Sequence, residues 1–156
     1  MKKITKRKSK WEWYGVKLLY ECIISGTPNP EYIDENYTSS SKTYEESIVL
    51  VKAQSFDHAY KIAEKIANES GHSYTNPYDE NVEWRFVEAI DAFQLFDDVL
   101  KTGTEVYSRL IRVQKGILRE DFISSYYPET TGDEKSPDYN LILRIKEFNA
   151  RPNSNK

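Results

Sequence analysis

The chain has 156 residues, of which 38% are hydrophobic and 13% aromatic. This length and composition are sufficient for one hydrophobic core and predict a single domain instead of two. Its formal net charge is −3 although six of the first ten residues are Lys or Arg, so the part that follows is markedly acidic. An acidic body argues against a broad nucleic-acid footprint and suits a basic partner surface.

Residues 1–10 form a basic tail that we expect to be disordered and solvated. From Trp13 to Ile24 apolar residues alternate with polar ones, the period of a strand with one face on a core. Cys22 lies in this run and is the chain's one cysteine, which excludes an internal disulfide and indicates a reducing, cytoplasmic compartment. No apolar run reaches the roughly 18 residues of a membrane span, so no membrane partner is expected.

Between Ser25 and Thr43, glycine, prolines and a serine run indicate a long, mobile loop. Strand composition returns from Tyr44 to Gln54. Within this stretch Ile48-Val49-Leu50-Val51 is apolar on both parities, which predicts a central strand covered on both sides.

A helix is predicted next, with Ser55 as its N-cap and Gly71 as its stop. Its apolar residues recur at steps of three and four and form one stripe, while the opposite face is a solvated surface. The stripe comprises Phe56, Ala59, Ile62, Ala63, Ile66 and Ala67.

Two further strands are predicted, one from Val82 to Asp91 and one from Thr104 to Val113. The order β-β-α-β-β predicts an α+β fold: a single antiparallel sheet of about four strands with one helix packed on one face. We expect this domain to span residues 11–113 and to be followed by a less regular C-terminal extension.

The extension is expected to be partly ordered over residues 114–150 and disordered over residues 151–156. Ile117 to Tyr126 fits a short helix. Leu141 to Phe148 fits either an additional edge strand or a helix.

Glu88 is the most informative candidate functional residue in the sequence, because it is a carboxylate within an apolar strand-like segment. Uninterrupted alternation would place its carboxylate on the same side as Phe86 and Ile90, where burial without a partner is costly. Arg85, Arg109 and Arg112 are the candidate partners, and with Glu21 and Glu105 they would form a charged recognition surface. The alternative interpretation is an ordinary set of cross-strand ion pairs on a solvent-facing sheet.

Signals of catalysis are missing from the sequence. His58 and His72 have no second histidine at metal-ligand spacing, Ser108 lies in no nucleophile elbow, and Gly103 stands outside any phosphate-binding loop. We therefore expect a protein that is not an enzyme and that uses no metal and no cofactor.

Five blocks in this order resemble an uncharacterised family of small bacterial proteins: Trp13 to Glu21, Tyr44 to Val51, Val82 to Glu88, Leu95 to Asp97 and Gly103 to Arg109. The resemblance covers about residues 11–112. It implies a compact domain with no assigned activity, whose relatives are loosely associated with immunity genes beside toxin genes.

Together these observations give the hypothesis of a non-enzymatic binding protein, most concretely a bacterial immunity protein that covers a cognate, basic toxin domain with acidic and aromatic residues. The alternatives are a small-ligand protein or enzyme with a Glu and Arg pocket on the sheet, and an RNA-associated protein that uses the lysine tail. The oligomeric state is not indicated. The predicted contact residues are Glu21, Glu83, Trp84, Glu88, Glu105, Tyr107 and Arg109.

Overall fold

A computed structural model describes residues 10–128 of the chain. The predictions for residues 1–9 of the basic tail, for Leu141 to Phe148 and for the last six residues lie outside this range. Among the residues that are described, no helix is both long and apolar enough to cross a membrane.

Four antiparallel strands form one sheet, and the predicted α+β class is confirmed. The strands are β1 (Glu12–Ser25), β2 (Thr43–Ala53), β3 (His72–Thr75) and β4 (Asn81–Gln94), in the spatial order β2-β1-β4-β3. The helices are α1 (Phe56–Glu69) and α2 (Arg119–Tyr126), and a short 3-10 turn covers Pro30–Tyr32. The predicted helices at Ser55 to Gly71 and at Ile117 to Tyr126 are therefore both present.

Two strand assignments from the sequence were wrong. The predicted central strand, β2, lies at the edge of the described sheet, and β1 and β4 are the two strands with a neighbour on each side. The predicted strand from Thr104 to Val113 is absent because this segment crosses the face of the sheet and joins no ladder. The fourth strand is instead the short β3, which follows α1 and precedes β4 in the sequence.

The helix α1 seals one face of the sheet. Tyr14, Val16 and Leu18 of β1 pack with the alanines of the helix in one buried cluster. Alanine side chains let the helix axis come close to the strands, and the Ser55 hydroxyl caps the helix by accepting from the backbone N–H of His58 at 3.1 Å. The outer members of the predicted stripe, Phe56 and Ile66, stay exposed.

The loop before β2 is tied to the start of β4. Tyr78 is fully buried; its hydroxyl donates to Asp34 at 2.8 Å, and its carbonyl accepts from the N–H of Asn29 at 2.8 Å. The Tyr37 hydroxyl donates to Glu80 at 3.2 Å. These bonds hold against the sheet a segment that the sequence predicted to be mobile.

The strand β4 carries two β-bulges against β1. Leu19 lies opposite Glu88 and Tyr20 opposite Phe86, so Val87 has no partner in β1. Ile90 likewise has no partner in β1, because Leu18 lies opposite Ala89 and Lys17 opposite Asp91. Each extra residue inverts the alternation of side chains between the faces. Glu88 therefore lies on the face opposite Phe86 and opposite α1, which corrects the expected parity.

Candidate partner-binding face of the sheet

The face of the sheet away from α1, here called the open face, carries three of the seven predicted contact residues, Glu21, Glu83 and Glu88. Directly paired residues in antiparallel strands share a face, so the register assigns its members. They are Tyr44, Glu46 and Ile48 on β2, Leu19, Glu21 and Ile23 on β1, and Glu83, Arg85 and Glu88 on β4.

One end of this face is covered by residues 104–108, here called the strap. A Cβ atom on Gly15 of β1 would lie 1.9 Å from the Val106 carbonyl oxygen, so the strap backbone rests directly on the strand. The Tyr107 hydroxyl donates to Asp91 Oδ2 at 2.8 Å, and the Lys17 Nζ lies 4.9 Å from the centre of the Tyr107 ring. The strap thus replaces solvent over Gly15, Lys17 and Asp91.

The charges under the strap are balanced. Lys17 is only 6% exposed, and its Nζ lies 3.5 Å from Glu46 Oε2, while Asp91 is its direct neighbour in the ladder. Burial and the hydrogen bond to Asp91 together raise the pKa of Tyr107 to about 12. The phenol therefore stays protonated at neutral pH and donates to a carboxylate, a role that fixes the strap instead of accepting protons.

No described residue covers the other end of the open face, here called the uncovered end, which is rich in carboxylates. Glu21 pairs with Lys42, with 2.6 Å between Oε1 and Nζ, and Glu83 pairs with Arg85 at 3.1 Å. The Glu88 side chain is exposed and makes no hydrogen bond or ion pair with any described residue. The arginine partner expected for Glu88 is thus not found there, because Arg85 turns to Glu83 on its own strand.

Apolar side chains lie between these carboxylates. Tyr44 and Ile48 lie on the edge strand β2, and their side chains are 49% and 42% exposed. Leu19 and Ile23 beside them are half-buried. The uncovered part is therefore an apolar strip with an acidic rim; within residues 10–128 no group of His, Cys, Asp and Glu is arranged to hold a metal ion.

The structure separates Trp84 from the other predicted contact residues. Its ring is on the α1 side of the sheet, 8% exposed, and packs with Cys22 and Val82. Its Nε1 donates to the Tyr74 hydroxyl at 3.2 Å. Trp84 thus belongs to the core because it lies before the first bulge, on the parity that faces inward.

Glu105, Tyr107 and Arg109 lie on or beside the strap and not on a strand. Glu105 and Arg109 are exposed, and Tyr107 is half-buried through its contacts with the sheet. Their role as partner contacts stays a prediction.

Several residues of this face were not predicted from the sequence. The sequence predicts a covered strand for Tyr44 and Ile48, and the alternation in β1 gives no sign that Lys17 is buried. A usable signal was present at Gly15, because a glycine inside a strand often marks the close approach of another backbone.

Comparison with known proteins identifies one family. The family model described as "Domain of unknown function (DUF4288)" matches residues 13–108, and the chain belongs to this family. No curated protein and no solved structure matches the chain. The matched range begins in β1 and ends with the strap, so the strap is part of the family domain, whereas α2 lies beyond it.

Proposed function

We propose that this member of the DUF4288 family is a non-enzymatic binding protein that takes a basic protein partner on the uncovered end of its open face. The observation that carries the proposal is the exposed Ile48 and Tyr44 lying beside carboxylates, one of which, Glu88, is unpaired among the described residues. An isolated domain gains nothing from exposing this combination, whereas a partner would desolvate the apolar strip.

The arrangement matches the anatomy of protein interfaces. Such interfaces combine an apolar or aromatic centre, which supplies most of the affinity, with a polar rim. Here Tyr44 and Ile48 would form the centre, and Glu21, Glu83 and Glu88 would form the rim. A rim of one sign attracts a partner of the other sign and raises its rate of association.

The more specific proposal is an immunity protein that neutralises a basic toxin domain by covering its active surface. Its support is the sequence resemblance described above together with the acidic rim. The role needs a preformed surface and no catalytic group, which agrees with a face built on strands and braced by the strap.

Charge reversal at Glu88 tests the proposed face. The tagged full chain would be purified from cells that naturally express it, and bound proteins would be identified by mass spectrometry in parallel for the parent chain, Glu88→Lys and Glu64→Lys. Glu64 is an exposed carboxylate on α1, on the other side of the sheet. We expect Glu88→Lys to weaken capture of a basic protein about tenfold while Glu64→Lys leaves it unchanged.

Equal capture by both variants would contradict the assignment of this face. Recovery of RNA or of a small metabolite with no protein would contradict the protein-binding function itself. For the immunity role, coexpression with the captured protein should restore growth that this protein alone arrests. A captured protein that does not arrest growth would exclude that role.

A further inference from the structure

A cleft of about 340 Å³ lies beside β1 beyond the end of β2, and Glu21 and Ile23 of the open face are among its lining residues. Pairing between β1 and β2 stops at Cys22 opposite Thr43, and the loop before β2 continues beside β1 without joining its ladder. The polar side chains that line the cleft carry five hydroxyls, two carboxylates and one ammonium group, those of Tyr37, Thr38, Ser39, Ser41, Thr43, Glu21, Glu80 and Lys42.

The two carboxylates differ in how firmly they are held. Glu80 is buried, and its two oxygens accept from the Tyr37 hydroxyl at 3.2 Å and from Asn76 Nδ2 at 3.1 Å. Within residues 10–128 Glu21 has Lys42 as its one ion-pair partner, and the Lys42 side chain is 64% exposed and belongs to the loop before β2. Glu80 is thus part of the wall, and Glu21 is the carboxylate that can exchange its partner.

Lys42 marks a place built for a cation. Its Nζ lies 2.6 Å from Glu21 Oε1 and 5.4 Å from the centre of the Tyr44 ring, which is paired with Glu21 across the ladder. The hydrogen bond to Glu21 raises the pKa of Lys42, so the charged form is favoured there. A carboxylate beside an aromatic face is the combination that attracts a cation by charge and by the ring quadrupole.

We propose that the edge of this cleft is a guanidinium site, in which an arginine of the partner displaces Lys42, pairs with Glu21 of the cleft lining and lies against Tyr44, which adjoins the cleft. The identity of the guanidinium as a partner's side chain rests on the proposed function. The site itself does not, since its lining belongs entirely to this chain.

An arginine fits this place better than the resident lysine. Its planar guanidinium can contact both oxygens of one carboxylate and can stack on an aromatic ring at the same time. Its remaining N–H groups need acceptors, and the hydroxyls of the cleft provide them. The exposed Lys42 pair costs little to break, because surface ion pairs contribute little to stability.

The test uses N-acetyl-arginine amide as the probe and the neutral isostere N-acetyl-citrulline amide as its control. Binding would be followed by amide shifts of the ¹⁵N-labelled full chain. We expect the arginine compound, and not the citrulline compound, to shift residues 21–24 and 38–44. Lys42→Ala should bind the arginine probe about fivefold more tightly because the competing cation is gone. Glu21→Gln should abolish these shifts.

Lys52→Ala is the matched control, because the Lys52 Nζ also lies 5.4 Å from an aromatic ring centre, that of Trp13, but outside the cleft. It should bind the probe as the parent chain does. Equal shifts with the citrulline compound, shifts elsewhere in the chain, or no gain of affinity in Lys42→Ala would overturn the proposal. If the probe fails while Glu88→Lys still impairs partner capture, the guanidinium site alone is excluded and the binding face stands.

Discussion

Gly15 is the residue at which the strap and the sheet come closest. Its neighbours in β1 follow the strand pattern, yet the position has no room for a side chain because the Val106 carbonyl lies directly above it. One missing Cβ therefore allows a segment of irregular backbone to lie flat on the sheet and brings Tyr107 to Asp91. The covered end of the open face comprises Gly15, Lys17 and Asp91, and the uncovered end lies beyond them, from Leu19 to Ile23.

Gly15→Ala should destabilise the domain by about 1–3 kcal/mol, the range expected when atoms are forced into a filled space. The measurement is urea unfolding of the full chain. Gly71→Ala is the control, because a Cβ at Gly71 meets nothing within 4 Å. Trypsin should also cleave sooner after Arg109 in Gly15→Ala, since the strap is displaced. Equal stability of the two variants would show that the strap does not rest on Gly15.

At the scale of the elements, β4 decides which side chains the open face displays. Its two bulges keep Phe86, Ala89 and Ala92 among the residues packed against the α1 core while turning Glu88 and Asp91 to the opposite side. A regular strand could not do this, because its parity would carry Glu88 into the core with Phe86. The bulges thus allow a helix-packed face and a charged face on one strand.

Paired cysteine variants test this arrangement. Cys22 is buried, so a thiol introduced at the surface can be labelled selectively. A maleimide should react at least about tenfold faster with Glu88→Cys than with Ala89→Cys, because residue 88 faces solvent and residue 89 packs against the core. Equal rates, or faster labelling at residue 89, would show that the first bulge is absent.

The elements that the sequence predicted correctly are those with local signals. The alternation in β1 and the cap and alanine spacing of α1 come from contacts within a few residues of each other. The position of β2 at the edge could not be predicted, because the run from Ile48 to Val51 has the apolar composition of a strand that is covered on both faces. In the structure Ile48 and Leu50 lie on the face away from α1. The bulges at Val87 and Ile90 also leave no clear signal, since both residues are common in regular strands.

The molecule as a whole combines a helix-sealed core with an acidic face that the strap covers at one end. The sequence predicted acidic contact residues and located several of them, including Glu21, Glu83 and Glu88, on the strands that carry the open face. It placed Trp84 among them because parity before and after a bulge cannot be distinguished without coordinates. The apolar strip that would supply most of the affinity was found only in the structure.

The proposed function requires the partner to bind the open face and not the helix side. Its most direct test replaces either Ile48 or Ile66 by the photo-cross-linking residue p-benzoylphenylalanine in the full chain. These isoleucines are matched, being 42% and 43% exposed, and they lie on opposite sides of the sheet. Illumination should link the captured partner to position 48 and not to position 66. Cross-linking at position 66 alone, or equally at both positions, would contradict the account.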